Sequence, residues 1–244
     1  PKTRRRKSRS EKIHRTNTDA IQAEYTNNGR TGRLNATRTL VKLLRENAYR
    51  QDLWTVWSDF VEMSAIALSN AVDIANRKRR EERYMQIVGK YDRAGIENFA
   101  QALGELVMAM ESVGFADLLG ATFMGLDLGN KWTGQFFTPY ELCRMMAKMQ
   151  MHDAKHLIEQ REYITVCDPC VGGGAMVIAS AEALHDEGIN YQQHLHVTAT
   201  DIDARSVHMT YVQLSLLHIP AVVELGNSLP NQVRDRWYTP AHIL

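Results

Sequence analysis

Two cysteines, an aspartate and three consecutive glycines lie close together in residues 164–176, which read ITVCDPCVGGGAM. Cys167 and Cys170 form a C-x-x-C pair after an apolar run, the pattern of a thioredoxin-like redox pair. In such a redox site the helix normally begins at the first cysteine. Three glycines indicate instead a wide loop whose backbone is open to a ligand. We therefore favour a ligand-binding loop over thiol chemistry.

Metal binding has little support in the sequence. A structural zinc site needs a tetrahedral ligand set, and no second C-x-x-C or closely spaced Cys/His pair follows the first. His152, Asp153 and His156 have the spacing of a zinc-protease helix, but Asp stands where Glu is expected and a third ligand is not evident. We expect a surface histidine pair there and no metal.

The glycines and a later aspartate suit a nucleoside ligand better than a phosphate. A P-loop is excluded because no Gly-Lys-Ser/Thr follows, and Gly172, Gly174 and Val177 fit the dinucleotide fingerprint only if its third small residue is relaxed. Asp201 closes the next β-like run, where a carboxylate can accept both hydroxyls of a ribose. Asp203 is better suited to cap the following helix. A nucleoside cofactor without a pyrophosphate is indicated, and S-adenosylmethionine fits.

These residues lie in a chain segment that alternates between β-like and helical patterns. The β-like runs are YITVCDP, HLHVTATDID and AVVELGN, and the helical stretches between them are GAMVIASAEALHDEG and ARSVHMTYVQLSLLHI. This alternation predicts a parallel sheet with right-handed crossovers. Small molecules bind beyond the carboxyl ends of such strands, which is where CDPCVGGG lies.

The first half of the chain has a helical period. From about residue 37 to 128, apolar residues recur every three or four positions, and Trp54, Trp57 and Phe60 are predicted to form core. The charged run from Arg77 to Arg83 is predicted to be a solvated helix face. The expected fold class is α/β, with an N-terminal all-helical region followed by a partial Rossmann-like, S-adenosylmethionine-binding parallel sheet of about three strands.

The charge distribution adds a third predicted region. The net charge of +1 conceals 11 Lys or Arg and 3 acidic residues in positions 1–38, a local balance of +8, and −7 in the rest of the chain. Low apolar content predicts disorder in isolation, and clustered cations attract phosphate backbones through counterion release. The alternative is a solvated tail or a sorting signal. The predicted DNA contacts are Arg4, Arg5, Arg6, Lys7 and Arg9.

The predicted domains are a flexible basic arm (1–38), a helical domain (39–130) and an incomplete Rossmann-like domain (131–244). The chain has 3 cysteines, and it shows no signal-type stretch. Its apolar runs are all shorter than the about 18 residues that a membrane helix requires. We therefore expect a cytoplasmic protein that does not associate with a membrane.

Three stretches, taken in order, resemble a known family. They are GQFFTP (134–139), DPCVGGGAM (168–176), and ATDIDARSVHMTYVQLSLLHI leading to GNSL (226–229). They resemble the N6-adenine DNA methyltransferases, in particular the modification subunits of type I restriction-modification systems. The resemblance covers about 130–230 and implies S-adenosylmethionine as cofactor and DNA as partner.

The resemblance also implies roles for individual residues. The FFTP residues (136–139) would line the pocket around the methionine end of the cofactor. Asp168 and the peptide groups of Gly172–Gly174 would bind its amino and carboxylate groups. Asp201 would take the ribose, Ile202 would pack on the adenine, and Asn227 stands where many relatives have Asp. The implied cofactor-binding residues are Phe136, Phe137, Thr138, Pro139, Asp168, Pro169, Cys170, Gly172, Gly173, Gly174, Asp201, Ile202 and Asn227.

The resemblance does not extend to the catalytic motif. Methylation of adenine requires a flipped base whose amino group is held by acceptors, and the family uses Asn or Asp followed by Pro-Pro and an aromatic residue. The sequence contains no Pro-Pro, and WYTP is a poor match. The first strand would also keep an unpaired edge. These features fit a fragment, a subunit completed by a protein partner or a second copy, or an inactive DNA-binding or interaction protein that acts as a regulator or decoy in restriction or mobile-element biology.

Overall fold

The computed structural model describes residues 32, 34–49, 51–128 and 137–244. The predicted phosphate contacts Arg4, Arg5, Arg6, Lys7 and Arg9 and the predicted cofactor contact Phe136 lie outside these residues. Within the described ranges, none of the helices is long and apolar enough to cross a membrane.

The first part of the described chain is helical. Residues 34–46 form helix α1, which spans the boundary predicted between residues 38 and 39. The following helices are α2 (Leu53–Asn70), α3 (Ile74–Val88), α4 (Arg93–Val113) and α5 (Leu118–Gly125). The domain boundaries drawn from the sequence remain predictions.

Helices α2 to α5 share one way of starting. Each follows an aspartate whose carboxylate accepts a hydrogen bond from the backbone N–H three residues later, which satisfies one of the unpaired donors of the first turn. The pairs are Asp52 with Thr55, Asp73 with Asn76, Asp92 with Gly95, and Asp117 with Gly120. Hydrogen bonds from Thr55 also lower the pKa of Asp52.

Aromatic rings fill the core of the helical part. Trp57 and Phe60 of α2 are buried, as predicted, and Trp54 is partly buried. The Phe123 ring centroid lies 5.8 Å from those of both tryptophans. Such tilted aromatic pairs add to the stabilisation from apolar burial, so α5 is fixed against α2.

The second part of the chain alternates between helices and strands. Its helices are α6 (Tyr140–Gln150), α7 (Ala154–Arg161), α8 (Ala175–Asp186), α9 (Tyr191–His194), α10 (Ala204–Leu216) and α11 (Pro240–Ile243). Its strands are β1 (Ile164–Asp168), β2 (Leu195–Asp201), β3 (Ala221–Asn227) and β4 (Gln232–Tyr238).

The strands form one sheet in the order β1-β2-β3-β4. Strands β1, β2 and β3 are parallel. Asp168 of β1 lies opposite Ala199 of β2, and Asp201 of β2 lies opposite Leu225 of β3. Because adjacent parallel strands are joined by right-handed crossovers, α8 and α10 lie on the same face of the sheet. The predicted α/β class and the three parallel strands are confirmed, and within the described residues β1 is an edge strand.

The sheet has a fourth strand that was not anticipated. Strand β4 pairs antiparallel with β3, with an irregularity between Leu225 and Gly226. Its sequence QVRDRWY has three consecutive charged residues in the middle, Arg234, Asp235 and Arg236, so it lacks the apolar run of the other strands. The sheet therefore has one antiparallel strand in addition to the three parallel strands that were predicted.

Helix α10 occupies the centre of the molecule. All residues from 206 to 215 are buried, because α10 packs on β2 and β3 on one side and on α2 and α5 on the other. Asp203 caps the helix by accepting the N–H of Arg205, as predicted. Helix α10 therefore forms a layer that packs against the sheet on one side and against the helical region on the other.

Arg80 contradicts the prediction that the α3 charges form a solvated face. Its side chain is only 2% exposed. The guanidinium donates hydrogen bonds to Ser69, to Asp73 at 2.6 Å and to the Arg236 carbonyl at 2.8 Å, and it lies 3.9 Å from the Trp237 ring centroid. The helical period could not reveal this burial, because the partners on β4 are distant in sequence.

Replacing Arg80 with Met should destabilise the fold strongly. Removing one partner of a buried ion pair costs about 3–5 kcal/mol, because the remaining carboxylate of Asp73 is left without its counter-charge. Urea denaturation followed by circular dichroism would measure the loss, with Arg77→Met on the exposed side of α3 as the control.

A double variant, Arg80→Met with Asp73→Asn, removes the orphaned charge and keeps an equivalent helix cap. We expect it to recover part of the lost stability. If it is as unstable as the single variant, or if both match the wild type, the buried pair does not have the role described.

Candidate functional site

A cleft of about 280 Å³ opens at the carboxyl ends of β1 and β2, beside the turn that leads into α8. Seven of its lining residues belong to the cofactor-binding set implied by the sequence, and four do not. The lining residues are Phe137, Thr138, Cys143, Asp168, Cys170, Val171, Gly172, Gly173, Ala175, Met176 and Asp201. A larger depression of about 690 Å³ lies near His194, at the opposite ends of the strands. Volume alone therefore does not identify the site, whereas the carboxyl-end position does.

The turn requires glycine at two positions. Gly172 has φ +58° and Gly174 has φ +91°, and both values are unfavourable for residues with a side chain. A Cβ atom on Gly172 would also lie 3.2 Å from the Phe137 ring. Gly174 donates its N–H to the Val171 carbonyl and precedes α8 directly. The glycines thus shape a narrow cradle at the start of the helix.

The Asp201 carboxylate is bonded to this turn. Its Oδ2 accepts the Gly172 N–H at 2.9 Å, and its Oδ1 accepts the Asp203 N–H at 2.9 Å. Each carboxylate oxygen can accept more than one hydrogen bond, so both oxygens retain capacity towards the cleft. The predicted proximity of Asp201 to the glycine turn is observed, while its role towards a ribose stays a prediction.

Asp168 places a second carboxylate at the same cleft. Burial raises its pKa, the Cys170 N–H that it accepts at 3.1 Å opposes this shift, and the charge of Asp201 raises the pKa further. The raised pKa means that the cost of burying the ionised Asp168 carboxylate exceeds the stabilisation from its hydrogen bond. A cationic group of a ligand would supply it.

A buried polar network supports the turn from behind. The Gln213 side chain donates to the Gly173 carbonyl at 2.7 Å and to Asp117 at 2.9 Å, and it accepts the Leu119 N–H at 3.0 Å. Thr210 donates to the Gly172 carbonyl at 2.9 Å. Sequence reasoning missed these residues. The available signal was a pair of polar residues three positions apart on an otherwise apolar face of α10.

The helical region supports the wall of the cleft by packing against Phe137. This ring lies 5.1 Å from Phe123 of α5, centroid to centroid. Thr138 is exposed at the mouth, and Pro139 lies immediately before α6, where its missing N–H has no consequence. Cys143 of α6 is buried below them.

The remaining predicted residues lie around the rim. Ile202 is 63% exposed next to Asp201, and Pro169 is exposed between Asp168 and Cys170. Asn227 ends β3, where its side-chain oxygen accepts the Leu229 N–H at 3.2 Å. These residues surround the cleft without lining it.

The thiols are not linked. Cys167 and Cys170 are exposed and free, and Cys143 is buried and free. The described part of the chain contains no group of three or more His, Cys, Asp or Glu side chains placed to hold a metal ion. His156 is hydrogen-bonded to Gln160 on the surface of α7. Neither the redox nor the zinc alternative gains support.

Comparison with known proteins places this site in a family. Residues 127–240 match the family model described as N-6 DNA Methylase. No curated protein matches the chain. Among solved structures, it is similar to a protein from Listeria monocytogenes described as a class I S-adenosylmethionine-dependent methyltransferase, with 16% identity and a TM-score of 0.44, over 82% of this chain and 56% of that one. The chain therefore spans little more than half the length of that protein.

The matched segment contains α6, the whole sheet and every residue that lines the cleft. Over these residues, which make up a little under half of the chain, the protein is similar to the N-6 DNA methylases, a family of methyltransferases.

Proposed function

We propose that the cleft binds S-adenosylmethionine and that the protein is the cofactor-binding part of an adenine-N6 DNA methyltransferase. The observation that carries this proposal is the Asp201 carboxylate, which lies at the end of β2 and is bonded to the Gly172 N–H. A carboxylate at this place in an α/β sheet suits the two hydroxyls of a ribose. The family match of the same segment supports the assignment.

The methionine end of the cofactor fits the inner part of the cleft. Its ammonium group would compensate the buried charge of Asp168. Its carboxylate would lie near Ala175 and Met176, at the positive N-terminal end of the 12-residue helix α8. The adenine would extend over Ile202, whose exposed side chain provides an apolar surface beside the ribose position.

When bound, S-adenosylmethionine supplies a methyl group activated by its sulfonium. The residues of this chain would hold the cofactor and orient that methyl towards the open side of the cleft. The glycine turn allows close approach of the cofactor, because Gly172 and Gly173 line the cleft without side chains. Orientation of this kind is a large part of methyl-transfer catalysis.

Holding the target adenine requires acceptors for its amino group, in addition to the cofactor site. The sequence contains no Pro-Pro. After β3 the described chain continues into antiparallel β4, whose outward residues include Arg234 and Arg236. We propose that methyl transfer depends on an acceptor-bearing segment or partner placed against the cleft. These features also favour the second candidate, a binding protein that does not transfer methyl groups.

Replacing Asp201 with Ala should lower the affinity for S-adenosylmethionine about 10-fold or more, since hydrogen bonds to a charged group are worth about 1.5–3 kcal/mol. Isothermal titration calorimetry of the wild type and the variant would measure this. Glu111→Gln, which neutralises an exposed carboxylate on α4, is the matched control. Wild-type protein that is folded and gives no heat at millimolar cofactor would refute the proposal.

Replacing Asp168 with Asn should separate binding from stability. A carboxyl whose folded pKa lies above its unfolded pKa stabilises the fold below the unfolded value, and this contribution is lost as the pH rises through the folded one. At neutral pH the uncharged Asn should therefore melt at the same or a higher temperature, yet bind the cofactor more weakly. A lower melting temperature together with unchanged affinity would show that Asp168 is only structural.

Methyl transfer can be followed with tritiated S-adenosylmethionine and an adenine-containing duplex, with the labelled nucleoside identified by mass spectrometry. We expect N6-methyladenine when the chain is combined with a segment or partner that supplies the acceptor groups. Transfer by the chain alone would disprove the proposed dependence. Label on cytosine would disprove adenine specificity, and cofactor binding without transfer in any combination would favour the second candidate.

A further inference from the structure

A groove of about 560 Å³ runs along α1 where this helix meets the end of α5. Three cations line it at positions four and three residues apart, and this spacing places them on one face of a helix. Thr37, Val41 and Gly125 line the rest. The lining cations are Arg38, Lys42 and Arg45, and all three side chains are exposed.

Two of these cations, Lys42 and Arg45, form only weak ion pairs within the described part of the chain. Lys42 lies 3.8 Å from Glu46, and Arg45 lies 3.6 Å from Asp127, distances at which the partners do not form close hydrogen bonds. The lysine and arginine side chains are 76% and 51% exposed. Exposed pairs of this kind contribute little to stability. The cations can therefore exchange these partners for a stronger anion.

The groove differs in charge from the other large basic depression. On α3, Arg77 and Lys78 share a depression of about 870 Å³ with Glu81 and Glu82, so the charges cancel. The α1 groove contains three cations and one anion, Glu46. This surplus of positive charge contrasts with the chain after residue 38, which carries a net charge of −7. Of these two depressions, only the α1 groove therefore has a surplus of positive charge.

The spacing of the cations suits a phosphodiester backbone. Along the helix axis, Arg38 and Lys42 are about 6 Å apart and Lys42 and Arg45 about 4.5 Å apart. Phosphates of one DNA strand follow each other every 3.4 Å or so along the duplex axis. The long, exposed side chains can therefore reach different phosphates of the same strand.

The groove also lies close to the cofactor cleft. Helix α5, with 8 residues, has Gly125 at the groove and Phe123 against Phe137 of the cleft wall. Gly125 and Phe123 are two positions apart, which is about 3 Å along the helix axis. A duplex held at α1 would thus have bases within a short distance of the cleft, as is required when a base leaves the stack for chemistry.

We propose that the α1 groove binds the phosphate backbone of duplex DNA. The proposal rests on the proposed function, because it takes DNA as the substrate of the cofactor-binding cleft. It assigns the contact to Arg38, Lys42 and Arg45, beyond the N-terminal residues 1–31.

The test is a triple variant, Arg38→Gln with Lys42→Gln and Arg45→Gln, in the full chain. Glutamine has nearly the helix propensity of Arg and Lys, so α1 should be retained, and circular dichroism would check this. Affinity for a fluorescent duplex is measured by anisotropy over a series of KCl concentrations. The control is Arg77→Gln with Lys78→Gln on α3. It removes two exposed cations, where the triple variant removes three.

We expect the triple variant to bind at least 10-fold more weakly, and the slope of log K against log salt to become shallower by about 0.9 for each lost phosphate contact. The control should change both values little. An affinity and slope equal to the wild type, or an equal change in the control, would overturn the proposal. The same would follow if the groove cations proved necessary for binding phosphatidylserine vesicles and not for the duplex.

Calorimetry with S-adenosylmethionine distinguishes this failure from failure of the proposed function. The triple variant should bind the cofactor as the wild type does, because none of its residues lines the cleft. Wild type that binds DNA through α1 and does not bind the cofactor would remove the proposed function alone. Wild type that binds the cofactor with DNA affinity independent of α1 would remove the inference alone.

Discussion

The site depends on one hydrogen bond between neighbouring strand ends, from the Gly172 N–H to the Asp201 carboxylate at 2.9 Å. It joins the loop after β1 to the last residue of β2, so the positions of both loops are coupled. A backbone with φ +58° is accessible to glycine at little cost. The carboxylate therefore acts on a chain segment that is already able to bend, and the cleft keeps its shape without any disulfide or metal in the described residues.

The helical region has a direct part in this site. Asp117 caps α5 and also accepts a hydrogen bond from Gln213, whose amide is bonded to the Gly173 carbonyl. Phe123 of the same helix packs against Phe137 at the cleft wall. Buried polar groups must be fully satisfied to avoid a large desolvation penalty, so these bonds fix α5 relative to the glycine turn. The N-terminal helices thus position the candidate cleft and the α1 groove relative to each other.

The sequence predicts the parts of the fold that depend on local pattern. The alternation of strands and helices is sufficient to place β1, β2 and β3 and the cleft at their carboxyl ends, because these follow from periodicity and from the geometry of parallel sheets. Glycine at 172 and aspartate at 201 are recognisable for the same reason, since each is required by a local position.

Long-range contacts account for what the sequence did not reveal. Arg80 is buried only because Asp73, Trp237 and the Arg236 carbonyl surround it, and its own neighbours along α3 are charged and exposed. Gln213 donates a hydrogen bond to the Gly173 carbonyl, 40 residues earlier in the chain, and Thr210 donates one to the Gly172 carbonyl, 38 residues earlier. Strand β4 depends on pairing with β3 and has little apolar pattern of its own. In each case the tertiary partner, and not the periodicity, decides the outcome.

Two capping aspartates of the helical region, Asp52 and Asp73, and the partly buried Asp168 of the cleft respond to acid in opposite ways. Thr55 holds the pKa of Asp52 down, and for Asp73 the effect of burial is outweighed by Asn76 and Arg80, so its pKa is also lowered. Their stabilisation is lost as the pH falls through these depressed values, whereas protonation of Asp168 relieves an unfavourable charge. Acidification therefore weakens the caps of α2 and α3, whereas it removes the unfavourable charge of Asp168 beside the glycine turn.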